Sequence, residues 1–209
     1  MAEQATTDRR ATRNEQLLRD LLARIGRGDE RALLEMHRLV ARRIFAFALN
    51  RLHDRDEAMS VANNTLYEIW RQSQRFDGSC QFMTWALGIA RNKMLHAFRD
   101  RPAEYDELDE THADAAPGAF ETLAGKELRE SLLVAMDRLS PDHREVLHLT
   151  YFEELSVAEV AAIQLCPVGT VKTRLHHARR RMRELVDPSG APRRRGVAGA
   201  TDLHAAPQS

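Results

Sequence analysis

The chain has 209 residues, with 31 basic and 31 acidic side chains, so a formal net charge of zero neither indicates nor excludes a nucleic-acid partner. Aromatic residues make up only 6% of the sequence, and the abundance of Ala, Leu, Arg and Glu favours helices over strands. Two cysteines are too few for a disulfide framework or a zinc ribbon, and no segment approaches the roughly 18 apolar residues of a membrane span. We therefore expect a soluble, cytoplasmic protein without a signal peptide or membrane insertion.

The first half of the sequence predicts helices in succession. Residues 1–13 are polar and are expected to form a disordered tail. Apolar residues then recur at three- and four-residue steps from Leu17, and Asp29 is expected to cap a longer second helix. The side chains expected on the inner side of that second helix are Leu33, Met36, Leu39, Val40, Ile44, Phe47 and Leu49. A third helix should begin near Asp54 or Asp56. The side chains expected to line its inner face are Met59, Val61, Ala62, Leu66, Ile69 and Trp70.

A turn at residues 76–79, rich in Asp, Gly and Ser, precedes a fourth helix from about Cys80 to Arg99. Four helices with short connections predict a compact bundle over residues 14–101. Residues 102–120 are acidic, contain two prolines and lack Lys and Arg, so we interpret them as a flexible linker. The acidity of this linker offsets basic surfaces elsewhere in the chain.

Helical periodicity returns over residues 121–186, and residues 187–209 look like a disordered tail. A fifth helix should end at Ser140, with Pro141 in the first turn of the next helix. The apolar residues of the fifth helix are Leu128, Leu132, Val134, Ala135 and Leu139. The side chains predicted to point inward in the next helix are Val146, Leu147, Leu149 and Tyr151.

The segment from Ser156 onward predicts a helix-turn-helix. Ser156 and Glu159 have the spacing of a capping box at the start of a short apolar helix. Pro167 interrupts that helix, and a longer one should start near Val168 or Thr170. Its predicted buried stripe consists of Val171, Leu175, Ala178, Met182 and Leu185.

The rest of the last helix is basic, and a cationic helix in the major groove can neutralise phosphates while its first turns reach base edges. A solvated surface helix or half of a coiled coil is the alternative for such a charge run. The short capped helix and the Pro-Gly turn before it favour DNA binding. The side chains that carry the charge are Lys172, Arg174, Arg179, Arg180, Arg181 and Arg183.

Several segments together resemble one family. Residues 139–147 read Leu-Ser-Pro-Asp-His-Arg-Glu-Val-Leu, and residues 169–175 read Gly-Thr-Val-Lys-Thr-Arg-Leu. Both, with the Leu-Ser-Val-Ala-Glu segment at 155–159, resemble the fourth region of extracytoplasmic-function sigma factors. Residues 75–78 and the Gly-Ile-Ala-Arg-Asn segment at 88–92 resemble the second region of that family. The resemblance covers roughly residues 15–186.

The resemblance implies an all-α protein with two domains, a four-helix region 2 and a helix-turn-helix region 4, joined by the flexible acidic linker. Such a protein binds core RNA polymerase and directs it to promoters; it is not an enzyme and needs no cofactor or metal. Its partners would be core RNA polymerase, promoter DNA and an anti-sigma factor.

The resemblance also assigns roles to residues. The third helix would dock on the clamp helices of the largest polymerase subunit through Asp56, Glu57, Asn63, Asn64 and Glu68. The −10 element would be held by Phe76, Asp77, Trp85, Arg91, Asn92, Lys93 and Arg99, although for Trp85 and Phe82 core packing is favoured over a contact with DNA. The −35 element would be bound by Thr170, Lys172, Thr173, Arg174, His176, His177 and Arg180.

The third helix departs from the family pattern. Met59, Ser60, Asn63 and Asn64 stand where many members carry acidic residues or glutamine, so much of the expected negative charge is absent. A stand-alone helix-turn-helix regulator that no longer binds core polymerase is therefore the alternative function. A di-iron enzyme is disfavoured, because the Glu-x-x-His spacing of Glu145 and His148 occurs once and such sites need two copies.

Overall fold

The computed structural model describes residues 2–99 and 131–186, and within these ranges every regular element is helical. The all-α fold that we predicted is confirmed. The predicted linker at 102–120 and the predicted tail at 187–209 lie outside the described residues. No helix in the two described ranges combines the length and the hydropathy needed to cross a membrane.

The N-terminal domain is a bundle of four helices. Its elements are α1 (Ala2–Ile25), α2 (Glu30–Leu52), α3 (Arg55–Arg71), a 3-10 turn (Ser73–Arg75) and α4 (Phe82–Arg99). The predicted cap forms, since the Asp29 carboxylate accepts from the backbone N–H groups of residues 31 and 32. Asp54 caps α3 in the same way, because its carboxylate accepts from the backbone N–H of Glu57.

Helix α1 begins at Ala2, so the prediction of a disordered tail over residues 1–13 is wrong for residues 2–13. The low hydropathy of this segment predicted disorder. The segment nevertheless contains Ala, Glu, Gln and Arg, which are good helix formers, and the first glycine of the chain is Gly26. The helix therefore continues toward the N-terminus.

The core of the N-terminal domain is formed by large side chains from α2, α3 and α4 that are almost inaccessible to solvent. They are Met36, Val40, Ile44, Phe47, Ile69, Phe82, Leu87 and Met94. Three predicted core positions are wrong, because Leu39 of α2 is 46%, Met59 45% and Trp70 47% exposed. Trp70 follows Ile69 directly, and successive helical residues differ by about 100° in direction, so only one of the two can face the core.

The C-terminal domain contains residues 131–137, which are helical and which we label α5. After it come α6 (Pro141–Leu147), a π-helical turn (His148–Phe152), α7 (Val157–Gln164) and α8 (Val168–Val186). As predicted, Pro141 lies in the first turn of α6 and Ser156 and Glu159 form a complete capping box.

One prediction of an inward-facing side chain in this domain is wrong, because Tyr151 is 54% exposed. Of the apolar residues assigned to the fifth helix, Leu132 is 40% and Val134 48% exposed. In the π-helical turn the backbone N–H of Glu153 donates to the carbonyl of His148, five residues earlier, at 3.2 Å. This wider turn rotates the side chains that follow relative to an α-helix, which places Tyr151 outside the core.

The buried guanidinium of Arg144 joins α5, α6 and α2. It is 5% exposed and donates to the carbonyl oxygens of Met136 (3.0 Å), Asp137 (2.8 Å), Leu139 (3.1 Å) and, in α2, Asn50 (3.0 Å). The last carbonyls of a helix have no partner within that helix. Arg144 supplies donors to them and connects the two domains.

Candidate nucleic-acid interface

The helix-turn-helix consists of α7, the turn around Cys166 and α8. Leu165 ends α7 in the left-handed region (φ 52°), and its backbone N–H donates to the carbonyl of Ala161. The predicted stripe holds α8 against the domain: Val171 and Ala178 are fully buried and Leu175 is 5% exposed. Met182 and Leu185 are partly buried against the same core.

The opposite face of α8 is exposed and carries positive charge at successive turns. Of the predicted −35 residues, Lys172, Thr173, His176 and Arg180 are exposed, while Thr170 and His177 are half-buried. His143 of α6 lies 6.4 Å from the His177 ring, and burial, together with that neighbouring ring, lowers the pKa of His143. The further exposed arginines of this face are Arg179, Arg181 and Arg183.

Arg174 is held more closely within the protein than Arg180, whose exposed guanidinium lies 3.9 Å from the Glu184 carboxylate. The Arg174 guanidinium donates to the side-chain oxygen of Gln164 at 3.0 Å and lies 2.8 Å from the Asp142 carboxylate. A guanidinium held by a carboxylate meets a phosphate only after that ion pair separates. We therefore rank Arg174 below Arg180 as a phosphate ligand.

The predicted −10 loop carries a cluster of three aromatic rings. The Phe76 ring lies 5.0 Å from that of Trp85 and 6.3 Å from that of Phe82. Phe82 is fully buried, as the core-packing alternative predicted, whereas Trp85 and Phe76 are partly exposed. Asp77 is exposed, and its carboxylate accepts from the backbone N–H of Ser79 at 2.9 Å, an interaction that lowers the pKa of Asp77.

Two residues of α1 that the sequence analysis did not identify hold this loop. The Arg19 guanidinium donates to the carbonyl oxygens of Cys80 (2.9 Å) and Gly78 (3.3 Å), and lies 5.5 Å from the centre of the Phe76 ring. The Glu15 carboxylate accepts from the backbone N–H of Phe82, the first residue of α4, at 3.0 Å. Glu15 and Arg19 lie four residues apart, so one face of α1 supports the loop and the start of α4.

The predicted −10 residues of α4 have different surroundings. Asn92 is exposed. The Lys93 ammonium lies 3.4 Å from Glu68, and the Arg91 guanidinium donates to the Glu145 carboxylate at 2.8 Å. Arg99 ends α4, and its side chain lies outside the described residues. The structure thus places Asn92, but not Arg91, where a ligand can reach it directly.

The predicted polymerase-docking residues lie on α3. Asp56, Asn63 and Asn64 are exposed and Glu57 is half-buried. Glu68 is only 6% exposed, so it is less accessible to a partner than the other four predicted docking residues. Hydrogen bonds from Arg71 and Gln72 lower the pKa of Glu68 to about 2.

The exposed face of α3 also contains aromatic side chains that the sequence analysis did not assign to it. Tyr67 is 59% and Trp70 47% exposed, and their ring centres lie 5.6 Å apart. Met59 continues the face toward the start of the helix. Met59, Asn63, Tyr67 and Trp70 are separated by four, four and three residues, so helical periodicity places them on one face of α3. We interpreted Met59 and Trp70 as core instead.

Comparison with known proteins identifies both domains. Residues 36–103 match the family model for Sigma-70 region 2, and residues 129–182 match the model for Sigma-70, region 4. The chain is similar to the ECF RNA polymerase sigma factor EcfG of Rhodopseudomonas palustris, with 30% identity over 70% of this chain and 80% of the relative. It is similar to the RNA polymerase sigma-H factor of Pseudomonas aeruginosa, with 28% identity over 80% of this chain and 93% of the relative.

A solved structure shares the fold and the order of the two domains. It is the sigma factor RpoE in complex with the anti-sigma factor NepR from Bartonella quintana, with a TM-score of 0.62 and 26% identity over 74% of this chain and 96% of that chain. Matches to both sigma regions in one chain favour a sigma factor over a stand-alone regulator. The chain belongs to the extracytoplasmic-function family of RNA polymerase sigma factors.

Proposed function

We propose that this sigma factor recruits core RNA polymerase through α3, holds the −10 element with α4 and the loop before it, and reads the −35 element with α8. Residues 14–101 would form the first functional unit and residues 121–186 the second. The cytoplasm is its proposed location, since its polymerase partner acts there. The observation that carries the proposal is the exposed cationic face of α8, presented by a capped helix-turn-helix.

The −35 element is assigned to the first turns of α8. Lys172, Thr173 and His176 are exposed near the start of the helix, where side chains reach base edges in the major groove. Arg180 lies two turns further on, at a position suited to a phosphate. Thr170 and His177 flank this surface. Arg174 joins it once its ion pair with Asp142 has separated.

The −10 element is assigned to the aromatic cluster and the exposed side of α4. Phe76 and Trp85 are partly exposed, and aromatic rings bind unpaired bases by stacking. Asn92 supplies hydrogen-bonding groups, and Asp77 lies beside the rings. Lys93, Arg91 and Arg99 are the proposed phosphate ligands.

Core polymerase is assigned to the exposed face of α3. Asp56, Asn63 and Asn64 supply its polar groups, and Tyr67 and Trp70 add a large apolar area. Aromatic side chains provide much of the binding energy of protein interfaces. This face can therefore bind through burial of rings where other family members have more acidic charge. Glu57 lies at its edge.

The test of this proposal is the affinity of the full chain for sigma-free core RNA polymerase, measured by fluorescence anisotropy near physiological salt. We expect saturable, submicromolar binding. Trp70→Ala should weaken it at least about tenfold, because truncating a buried interface tryptophan removes a dominant contact. Leu34→Ala is the matched control: Leu34 is 60% exposed on α2, so its loss should not change the affinity. A chain that binds duplex DNA but not the polymerase would instead be a stand-alone regulator.

Arg180→Ala tests the −35 assignment. In a complex of the chain with core polymerase on a promoter fragment, the salt dependence of binding should become shallower by about one unit of slope, because one phosphate contact is lost. Arg174→Ala should change the slope less, since its ion pair with Asp142 competes with the DNA. Arg38→Ala, an exposed arginine on α2, is the control. An unchanged slope for Arg180→Ala would contradict its role as a phosphate ligand.

A proposed further partner is an anti-sigma factor. The RpoE structure that resembles this chain was solved with the anti-sigma factor NepR. An equivalent partner of this chain would act by covering its polymerase-docking or DNA-binding surfaces.

A further inference from the structure

The two domains of the structure meet through side chains of opposite charge. The C-terminal domain presents an acidic face made of Asp142, Glu145, Glu153 and Glu159. The N-terminal domain presents a basic face made of Arg43, Arg51 and Arg91. Helix α7 packs against α4, while α6 and the π-helical turn pack against α2. The described domains therefore form a closed arrangement.

Glu145 lies at the centre of this arrangement and is fully buried. Its two carboxylate oxygens are each 2.8 Å from an arginine nitrogen, one from Arg51 and the other from Arg91. Both arginine side chains are only 11% exposed. A buried carboxylate requires compensating positive charge. If the two domains separated, Glu145, Arg51 and Arg91 would each be solvated by water or would bind another partner of opposite charge.

A second contact lies at the edge of the closed arrangement. The Arg43 guanidinium is 2.6 Å from the Glu153 carboxylate, which is 4% exposed. Beside it, the ring of His148 packs between Phe47, 5.6 Å away in α2, and Phe152, 5.2 Å away. On the α4 side, the Thr84 hydroxyl donates to Glu159 at 3.0 Å. Charged, aromatic and polar contacts thus span the whole interface.

The acidic face also reaches the −35 helix. Asp142 lies 3.5 Å from Arg51 and 2.8 Å from Arg174 of α8. Arg91 and Arg174 each belong to one of the two DNA surfaces assigned above, and both are bonded to carboxylates of this one face. A carboxylate and a DNA phosphate are both anions that a guanidinium binds, so Arg91 cannot hold a phosphate through Nε while that nitrogen donates to Glu145.

We propose that the closed arrangement is self-inhibitory: the acidic face of the C-terminal domain competes with single-stranded DNA for the basic face of the N-terminal domain. The inference rests on the proposed function in one respect, the role of Arg91 as a phosphate ligand. Opening separates the domains, exposes Arg43, Arg51 and Arg91 together, and frees Asp142 from Arg51. In the open form, the basic face binds the phosphate backbone of an unpaired DNA strand.

The test uses the full chain without polymerase and compares Glu145→Gln and Glu153→Gln with the wild type. Each substitution keeps the side-chain shape and removes the charge that faces an arginine. The first readout is the radius of gyration from small-angle X-ray scattering. The second is the affinity for a fluorescein-labelled single-stranded oligothymidylate, measured by anisotropy at low salt. Glu154→Gln is the matched control, because Glu154 is the exposed neighbour of Glu153.

We expect both variants to have a larger radius of gyration than the wild type. If the closed form holds about nine molecules in ten, opening should raise the apparent oligonucleotide affinity about tenfold. Glu154→Gln should behave as the wild type in both measurements. Circular dichroism verifies that each variant keeps its helix content. If Glu145→Gln loses helix content, Glu153→Gln decides the result, since its arginine partner is already 41% exposed.

Unchanged dimensions in the folded variants would overturn the closed arrangement. Larger dimensions without tighter oligonucleotide binding would overturn the competition with DNA. Both measurements are made without RNA polymerase, so their results do not depend on whether the chain binds core polymerase. A failure of the proposed self-inhibition can therefore be distinguished from a failure of the proposed polymerase binding.

Discussion

Leu175→Ala is expected to lower the free energy of unfolding of the C-terminal domain by about 2–5 kcal/mol. Leu175 is 5% exposed at the centre of the buried stripe of α8, between Val171 and Ala178, which are fully buried. Truncation removes buried methyl groups and leaves a cavity that the short helices α6 and α7 fill only in part. Urea unfolding followed by circular dichroism measures the change.

Arg183→Ala is the control for this prediction. Arg183 is exposed on the same helix, and substitutions at such positions usually change stability by less than about 0.5 kcal/mol. The −35 affinity of Leu175→Ala should fall in parallel with the folded fraction, because Leu175 faces away from the DNA surface. An unfolding curve that coincides with that of the wild type would show that α8 is not anchored by this stripe.

Arg144→Ala is expected to destabilise the protein by about 3 kcal/mol or more, an effect as large as that of a core cavity. The substitution removes the donors of four backbone carbonyl groups, from Met136, Asp137, Leu139 and Asn50. Carbonyl groups left without donors in a buried place retain their desolvation cost. The measurement is the midpoint and slope of urea unfolding.

The conservative variant separates charge from geometry at this position. Arg144→Lys keeps a positive charge but offers a compact ammonium in place of a planar fork of five donors, so it should recover only part of the lost stability. Arg138→Ala should be nearly neutral, since Arg138 is an exposed residue directly after α5. If Arg144→Lys were as stable as the wild type, the positive charge rather than the geometry of the four hydrogen bonds would account for the stabilisation.

Local features of the fold could be predicted from the sequence because their physical causes are local. Asp29 caps α2, and Ser156 and Glu159 cap α7, through hydrogen bonds that span three residues or fewer. The stripe of α8 follows from helical periodicity alone. Periodicity does not reveal whether an apolar face is covered, which is why Met59, Trp70 and Tyr151 were wrongly placed in the core.

The sequence allowed us to predict which types of residue form the candidate site, but not which of them are exposed to solvent. The basic character of α8 is visible in the sequence. The partner of Arg91 is Glu145, 54 positions away, and that of Lys93 is Glu68, 25 positions away. Because these pairs form only when separate helices pack together, no local pattern distinguishes a buried charged residue from an exposed one. Glu15 and Arg19 were missed for the same reason.

The support that α1 gives to the 76–82 loop has a consequence for the construction of hybrid sigma factors. The region 2 family model begins at residue 36, whereas Glu15 and Arg19, which hold the loop, lie well before that point. Gly78 has a φ of 74°, which favours glycine, and a Cβ atom there would also lie 2.7 Å from the Arg19 guanidinium that holds the loop. A promoter-reading module transplanted from this chain into another sigma factor must therefore begin upstream of Glu15, and Gly78 must be transferred with it.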